Sequence, residues 1–589
     1  MAFLLAGLGH PRTGDWILGI GASFGPLYGE VLWQDEDAVV AMGVVGRRLD
    51  RTASLGEASG VVAAVVGRID GAAEGSAAVL EAYTASRIGG LSRLRGEYAY
   101  ALWDPTERAL LAGCDAVGFR GLAYMSTGQG FVFSSSATML LRHPVATFGW
   151  DPVFVAHVLS GLWAPPTART AFRGVKRMIG GQGLRITSGG VQAFEADRLV
   201  FDVPARAEVG DAVRGLGEAV DRAVARDEAE EPAVALSGGV DSSIVATSMI
   251  KRQPALHAFS LVAPEGTQGR APALDAVLAA LPGVTHHPVV LSGTETLASG
   301  AGLPADDPIS AGPLLQAGRA ALLRAVREAG FACVFDGEGG DELFDILWRP
   351  GDILRDKAVM PLFSGLAWRG RRRALAYDIL WMVGGPASRL LISGAIRRLR
   401  ASRPWLRAGL WDSEGFVQAA EDAISFGQAA SARDRLQEVL GGHGRYWRVQ
   451  ELTRHAADVR GISPLLSRHV IEFVGSLRPR IAIDLRHRKV LLRRLAAERL
   501  PAKLAWYPKR EPLSDWLIGR WIGQDANIAR TIAQIKGSAL LREQVDVHAF
   551  AASAARAVRL GVGPPVATVV EFAALVEWIA AVEGASLAG

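Results

Sequence analysis

The residues best equipped for chemistry lie in one short stretch, Ser237-Gly238-Gly239-Val240-Asp241-Ser242-Ser243. Its glycines let the backbone approach an anion with no Cβ in the way. Its serine hydroxyls add hydrogen-bond donors. Asp241 is out of place beside phosphates unless Mg²⁺ bridges the two. The stretch is not a Walker A loop, since GxxxxGK[ST] is absent and the turn holds no lysine. A loop that grips pyrophosphate beside a metal-binding carboxylate suits cleavage of ATP between its α- and β-phosphates.

A second cluster follows at Phe335-Asp336-Gly337-Glu338-Gly339-Gly340-Asp341-Glu342-Leu343-Phe344. Asp336, Glu338, Asp341 and Glu342 are close enough in sequence to repel one another unless a cation or a substrate compensates. Asp341 is expected to complete a Mg²⁺ site with Asp241. Glu338 is expected to accept a proton or orient the reacting group.

Both clusters need a strand to deliver them. The apolar run Ala233-Val234-Ala235-Leu236 reads as a buried strand, and Ile244, Val245 and Met249 as the inner face of the helix that follows. The start of that helix offers unpaired N–H groups and the positive end of its dipole. The acidic cluster follows the apolar FACV, at a strand's carboxyl end, where open α/β sheets bind ligands. Between them LHAFSLV and HHPVVL continue the strand–helix alternation of a parallel sheet.

Up to about residue 200 the pattern differs: short apolar runs punctuated by glycine, such as GVVAAVVGRIDG and GEYAYALWD, predict a β-rich layered unit. The segment FDVPARAEVGD reads as a linker. Beyond Glu342 the chain reads as helical, with recurrent arginine and tryptophan, to the apolar stripe VVEFAALVEWIAAV.

At 589 residues, 49% hydrophobic and 21% charged, the chain is a globular enzyme of two domains or more. A net charge of +4 does not indicate nucleic acid. Two cysteines exclude a disulfide framework and any CxxC pair. The opening residues lack the basic start of a secretory signal, and no uninterrupted apolar run reaches the roughly 18–20 residues of a membrane span. A cytoplasmic location is expected.

The chain resembles the asparagine-synthetase family. The loop at Ser237 is similar to the family's SGGxDSS, and Asp336 to Phe344 to its SGxGGDELF. Asp306-Asp307-Pro308 is similar to "DEP", His455 to Arg460 with Pro464-Leu465-Leu466 to "HGLEVRVPFLD", and Lys489 to Arg494 to "KxLLRRA". Pro508-Lys509 falls where the family has "RPK". GEYAYALWD, GCDAVGFRGLAY and FVFSSSATMLL resemble the order of motifs in the family's N-terminal domain.

The resemblance implies an α/β protein. A glutaminase-like αββα sandwich (residues 1–204) would precede a pyrophosphatase-loop, adenine-nucleotide α-hydrolase-like parallel-sheet domain with a helical C-terminal part (205–589). ATP would convert a carboxylate to its acyl-adenylate, and a nitrogen nucleophile would displace AMP. By motif, Ser237, Gly239, Asp241 and Ser242, within the loop that includes Gly238 and Ser243, would hold pyrophosphate. Leu236, Leu261 and Gly337 would line the adenosine, Asp241 and Asp341 would hold Mg²⁺, and Glu338 and Lys509 would attend the chemistry. A fixed cation such as Lys509 can offset charge growing on the α-phosphate or a tetrahedral oxyanion.

The departures narrow the substrate. Glutamine-using members carry a cysteine directly after the initiator methionine, as thiolate nucleophile; here that residue is Ala2. The family's "NGEIYN" stands as Val66-Gly67-Arg68-Ile69-Asp70, an arginine replacing the carboxylate. Cys114 and Cys333 read as core residues. The N-terminal domain is therefore expected to hydrolyse no glutamine, and the nucleophile to be an amine already on the substrate. Two branches of the family close such rings: β-lactam-type synthetases and lasso-peptide cyclases. The β-lactam branch pairs its glutamate with an upstream tyrosine, and Lys251 to Glu338 contains none.

The lasso-peptide cyclase is the better match. Its substrate would be a precursor peptide whose Asp or Glu side chain is adenylated and captured by its own N-terminal amine. A leader peptidase and a small leader-binding protein would be pathway partners. Positioning of the two ends would dominate, since effective molarities for oriented intramolecular attack reach about 10⁵–10⁸ M. The arginine- and tryptophan-rich stretch 355–410 is a candidate helical insertion. It could grip a peptide, a partner protein, an acidic surface or lipid, or simply be solvated helix faces. His286-His287 reads as surface or strand-end chemistry rather than a metal pair.

Overall fold

The computed structural model describes the chain except for residues 1, 9–12, 24–27, 35–39, 48–52, 127–129, 163–167, 203–207, 227–231, 254, 268–271, 293–305, 307–312, 348–385, 428–435, 437–439, 441–456, 485–486, 508–511 and 588–589. Lys509, His455, Asp307, Pro308 and most of the stretch 355–410 lie outside the described residues. From that stretch, Pro386–Ser402 is a helix.

Two antiparallel sheets form the N-terminal part. Strands β1 (Ala2–Leu8), β2 (Tyr28–Gln34) and β3 (Val40–Arg47) belong to one, together with β8 (Ala123–Ser126), β9 (Phe131–Ser134) and β10 (Val175–Arg177), in the order β10-β8-β9-β1-β3-β2. The other contains β4 (Ala53–Ala58), β5 (Val61–Ile69), β6 (Gly96–Asp104), β7 (Ala109–Cys114), β11 (Gln182–Thr187) and β12 (Gly190–Glu195), in the order β12-β11-β7-β6-β5-β4.

The side-chain period of two explains why β5 is apolar from Val61 to Val66. Val62, Ala64 and Val66 meet Leu4, Ala6, Met42 and Phe133 of the facing sheet. Val61, Ala63 and Val65 point the other way, onto Val79, Leu80 and Tyr83 of α2 (Gly75–Leu91). On the opposite outer face, α1 (Thr13–Ser23) buries Trp16 and Ile17 with α3 (Ala137–Leu140). The layers therefore run α–β–β–α, and Cys114 lies buried between them.

After α4 (Pro152–Ser160), the amphipathic α5 (Val209–Arg226) leads into a five-stranded parallel sheet. It is built from β13 (Ala233–Ala235), β14 (Leu256–Val262), β15 (Val284–Val290), β16 (Cys333–Phe335) and β17 (Arg460–Ile462). Their order is β15-β14-β13-β16-β17, all pairs parallel. The chain steps outward from β13 to β15 and then returns to lay β16 on its other side. That puts the topological switch point, where such sheets open a crevice, between β13 and β16. Helices α6 (Val240–Ile250), α7 (Pro272–Ala280) and α8 (Pro313–Glu328) form the crossovers.

Among the described residues the remainder is mainly helical and packs against the sandwich. Pro564–Leu587 is the one described helix long and apolar enough to cross a membrane, yet 61% of its apolar window is buried inside the protein. The Trp578 ring packs tilted against Trp150, centroids 5.5 Å apart, and the Trp150 Nε1 donates to Glu583. A buried ion pair also joins the two parts: Asp197 accepts from Arg468, on the helix Arg468–Ser476, at 2.9 Å.

Candidate functional site

The pyrophosphate-type loop forms because β13 stops at a carboxyl end and two glycines turn it into α6. Gly238 has φ +77°, and a Cβ there would lie 2.6 Å from the Leu274 nitrogen, so only glycine fits. Ser237 and Gly239 are exposed at the tip, while Ser242 and Ser243 are buried beneath. The Ser242 hydroxyl accepts from the Ser237 N–H at 3.2 Å, and the Ser243 hydroxyl donates to the Gly239 carbonyl at 2.7 Å. These bonds hold the loop's shape and leave the start of α6 facing outward, suited to an anion. The side chain of Leu236 is inside the core, 1% exposed, and Leu261 is half-buried on β14.

The acidic segment sits directly against this loop, backbone on backbone. A Cβ on Gly337 would come within 2.5 Å of the Ser242 nitrogen, and one on Gly340 within 2.3 Å of the Asp241 carboxyl carbon. Two glycines of GEGGD are thus explained by the close approach of Asp241 rather than by turn geometry. Gly339 supplies the turn, at φ +93°.

Asp241 and Asp341 converge on one point, and the group between them is a lysine. Lys489, 4% exposed, reaches Asp241 at 2.5 Å and Asp341 at 2.9 Å. It is held at φ +56° as the cap of the helix Val490–Arg499. Arg488 adds contacts to Asp341 at 3.5 Å and Asp345 at 2.5 Å. Arg493 anchors the carbonyls of Ala505 and Tyr507, just ahead of Lys509, and burial lowers its pKa.

Two carboxylates aimed at one point and neutralised there by a compact cation have the donor chemistry that Mg²⁺ takes from a protein when phosphate oxygens complete its shell. Among the described residues no group of three or more His, Cys, Asp or Glu could hold a metal on its own. His287 is spent on His257, at 2.9 Å, and on stacking against Phe259.

Glu338 faces a second cation. Arg319, on α8, donates from Nη1 to Glu338 at 2.5 Å and from Nη2 to Asp336 at 2.8 Å. Asp336 also accepts from Ser463 at 2.7 Å, which fixes it at the β16–β17 junction. Burial pushes the Glu338 carboxyl above its ordinary value, Arg319 opposes this, and Asp336 and Glu342 reinforce it. A carboxylate tuned upward is a better proton acceptor near neutrality.

The structure thus brings Ser237, Gly238, Gly239, Asp241, Ser242, Ser243, Gly337, Glu338 and Asp341 into one crevice at the switch point. Lys489 and Arg319 join them, and neither was given a role from sequence. Lys489 lay in plain view in KVLLRR, whereas Arg319 sits in a helix with nothing local to single it out.

The Asparagine synthase model matches residues 214–555 and the Glutamine amidotransferase domain model residues 73–196. A Mycobacterium bovis protein named as a glutamine-hydrolyzing asparagine synthetase is 29% identical over 276 residues, 43% of this chain and 40% of that one. Amidase chyE of Penicillium rubens is 29% identical over 284 residues with the same coverage. Asparagine synthetase 3 of Bacillus subtilis is 26% identical over 158 residues, 26% of this chain and 25% of its own. The chain therefore aligns with less than half the length of these relatives. Glutamine phosphoribosylpyrophosphate amidotransferase from B. subtilis, complexed with ADP and GMP, covers 57% of this chain and 81% of its own at 11% identity. Its TM-score of 0.22 makes that likeness too slight to bear on the site. The N-terminal sandwich is amidotransferase-like, the synthase model spans more than half of the sequence, and the chain belongs to the asparagine synthase family.

Proposed function

We propose that this protein is an ATP-dependent, AMP-forming carbon–nitrogen ligase, and that it closes a macrolactam ring in a ribosomal peptide of the lasso class. The observation that carries the ligase reading is the crevice between β13 and β16, where an anion-ready helix start, two convergent carboxylates and the half-buried Glu338 meet. An acidic side chain of the precursor peptide attacks the α-phosphorus of ATP and pyrophosphate leaves toward Ser237, Gly239 and the start of α6. Asp241 and Asp341 would hold Mg²⁺, which supplies charge neutralisation on the departing phosphates. The peptide's N-terminal amine then attacks the acyl carbon, Glu338 takes the amine's proton, and AMP is expelled. Lys509, by its place in the motif, offsets charge on the oxyanion.

The ring-closing reading is supported by sequence: Ala2 where glutamine users carry cysteine, Arg68 in place of a carboxylate, and no tyrosine from Lys251 to Glu338. We further place the enzyme in the cytoplasm, with a leader peptidase and leader-binding protein as partners. The second reading is amidation of a small molecule without glutaminase activity, such as aspartate or a β-lactam precursor; the asparagine synthetase names of two relatives favour aspartate. ATP–pyrophosphate exchange separates the two. A linear peptide with a free N-terminal amine and an internal glutamate should drive exchange, and free aspartate should not. Exchange driven by aspartate alone moves the assignment to the second reading.

A further inference from the structure

Asp306 lies between β15 and α8, in the parallel-sheet part of the chain, yet its carboxylate is buried against the N-terminal sandwich, 3% exposed. One oxygen accepts from the Ser136 hydroxyl at 2.6 Å and from the Thr138 N–H and hydroxyl at 3.0 Å each. The other accepts from the Ala137 N–H at 2.9 Å. A buried carboxylate is costly unless hydrogen-bonded, and these four donors, all from one turn, meet that need.

The same turn is fastened to β1. The Leu4 N–H donates to the Ser135 hydroxyl at 3.1 Å, and the Ser135 N–H to the Leu4 carbonyl at 2.9 Å. Apolar packing runs alongside: Leu5, Ala137, Met139 and Leu140 share a core with Leu291 and Leu314. Leu314 is in the first turn of α8, and Arg319 follows on the same helix, holding Glu338 and Asp336.

We infer that Asp306 is a positioning residue: through it the N-terminal sandwich seats α8 and so aims Arg319 at Glu338. The consequence for Glu338 rests on the ligase reading above. The sandwich then serves synthesis as a rigid jaw that sets the geometry of the amide-forming site, a role that needs no glutamine chemistry.

Two full-length variants test this, Asp306→Ala and the double Ser136→Ala/Thr138→Ala, which removes only the hydroxyl donors. Hydrogen exchange needs no substrate. Amides of Leu314–Glu328 should exchange roughly tenfold faster in Asp306→Ala and less so in the double variant, with α6 unchanged. Unchanged protection of α8 in both would overturn the proposal.

Turnover with the peptide that supports the parent's activity provides the second arm, as a double-mutant cycle with Arg319→Ala. Asp306→Ala should lower kcat by roughly tenfold or more alone, and add nothing in the Arg319→Ala background. Effects that multiply would mean general weakening and would overturn it as well. Should Asp306→Ala fail to fold, the Ser136/Thr138 variant goes through the same cycle. A parent that makes no amide defeats the ligase reading and the Glu338 half of the inference, while exchange still decides the seating of α8.

Discussion

Lys489→Met keeps the length of the side chain and the backbone strain at φ +56° while removing one charge. The parent ammonium is 4% exposed and neutralises Asp241 and Asp341 together. At an effective dielectric near 20, one such pair about 3 Å apart is worth roughly 5 kcal/mol before desolvation. Returning the ammonium to water on unfolding cancels several kcal/mol, roughly one pair's worth. The carboxylates left behind are 22% and 34% exposed, so water screens part of their repulsion. The expected net loss is about 2–4 kcal/mol, within or below the range for breaking a buried pair. The assay is urea unfolding of the full chain, read as a midpoint because a chain of several units does not unfold in one step. With the ammonium gone, Mg²⁺ meets no competing cation at the two carboxylates, so about 10 mM Mg²⁺ should raise the variant's midpoint more than the parent's. A variant as stable as the parent, or an equal Mg²⁺ response in both, would refute the claim that Lys489 is the counter-ion of this pair.

Other perturbations read out different parts of the site. Gly340→Ala puts a methyl 2.3 Å from the Asp241 carboxyl carbon and should cut amide formation by at least about 100-fold, with Asp241 displaced in a crystal structure. Glu338→Gln should abolish amide formation, and its effect on stability should grow more favourable as pH rises above the ordinary glutamate range. Burial raises the folded carboxyl above its unfolded value, so ionising it costs stability as pH rises through that interval. The difference in thermal midpoint should therefore stop changing below about pH 4, and a difference independent of pH throughout would disprove the cause given. Ala2→Cys should produce no glutamate from glutamine, because Arg68 still stands in place of the glutamine-binding carboxylate; measurable glutaminase activity would reverse that expectation.

How much of this could be read from the sequence depended on the range of the interaction. The loop at Ser237 was legible because strand, glycine turn and helix are consecutive, and local sterics decide their shape. The sandwich strands were legible from apolar runs bounded by turns, and the alternation in β5 shows why the run is continuous. The meeting of Asp241 with Asp341 followed from both lying at strand carboxyl ends in one sheet. The group between them did not, because Lys489 arrives 248 residues away in sequence. Arg319 was invisible for a related reason: α8 repeats arginine at several positions, and only the path of the helix over β16 shows which one meets Glu338. Asp306 was recognised as part of a motif, but its partners belong to the other half of the chain.

The central claim is that a carboxyl group is adenylated and then captured by an amine of the same substrate, and isotope transfer tests this most directly. With ¹⁸O in the acidic side chain of a linear peptide substrate, the account predicts that each amide formed leaves one labelled oxygen in the phosphate of AMP. Amide formed with unlabelled AMP, with ADP and phosphate instead, or only when glutamine is consumed would contradict it.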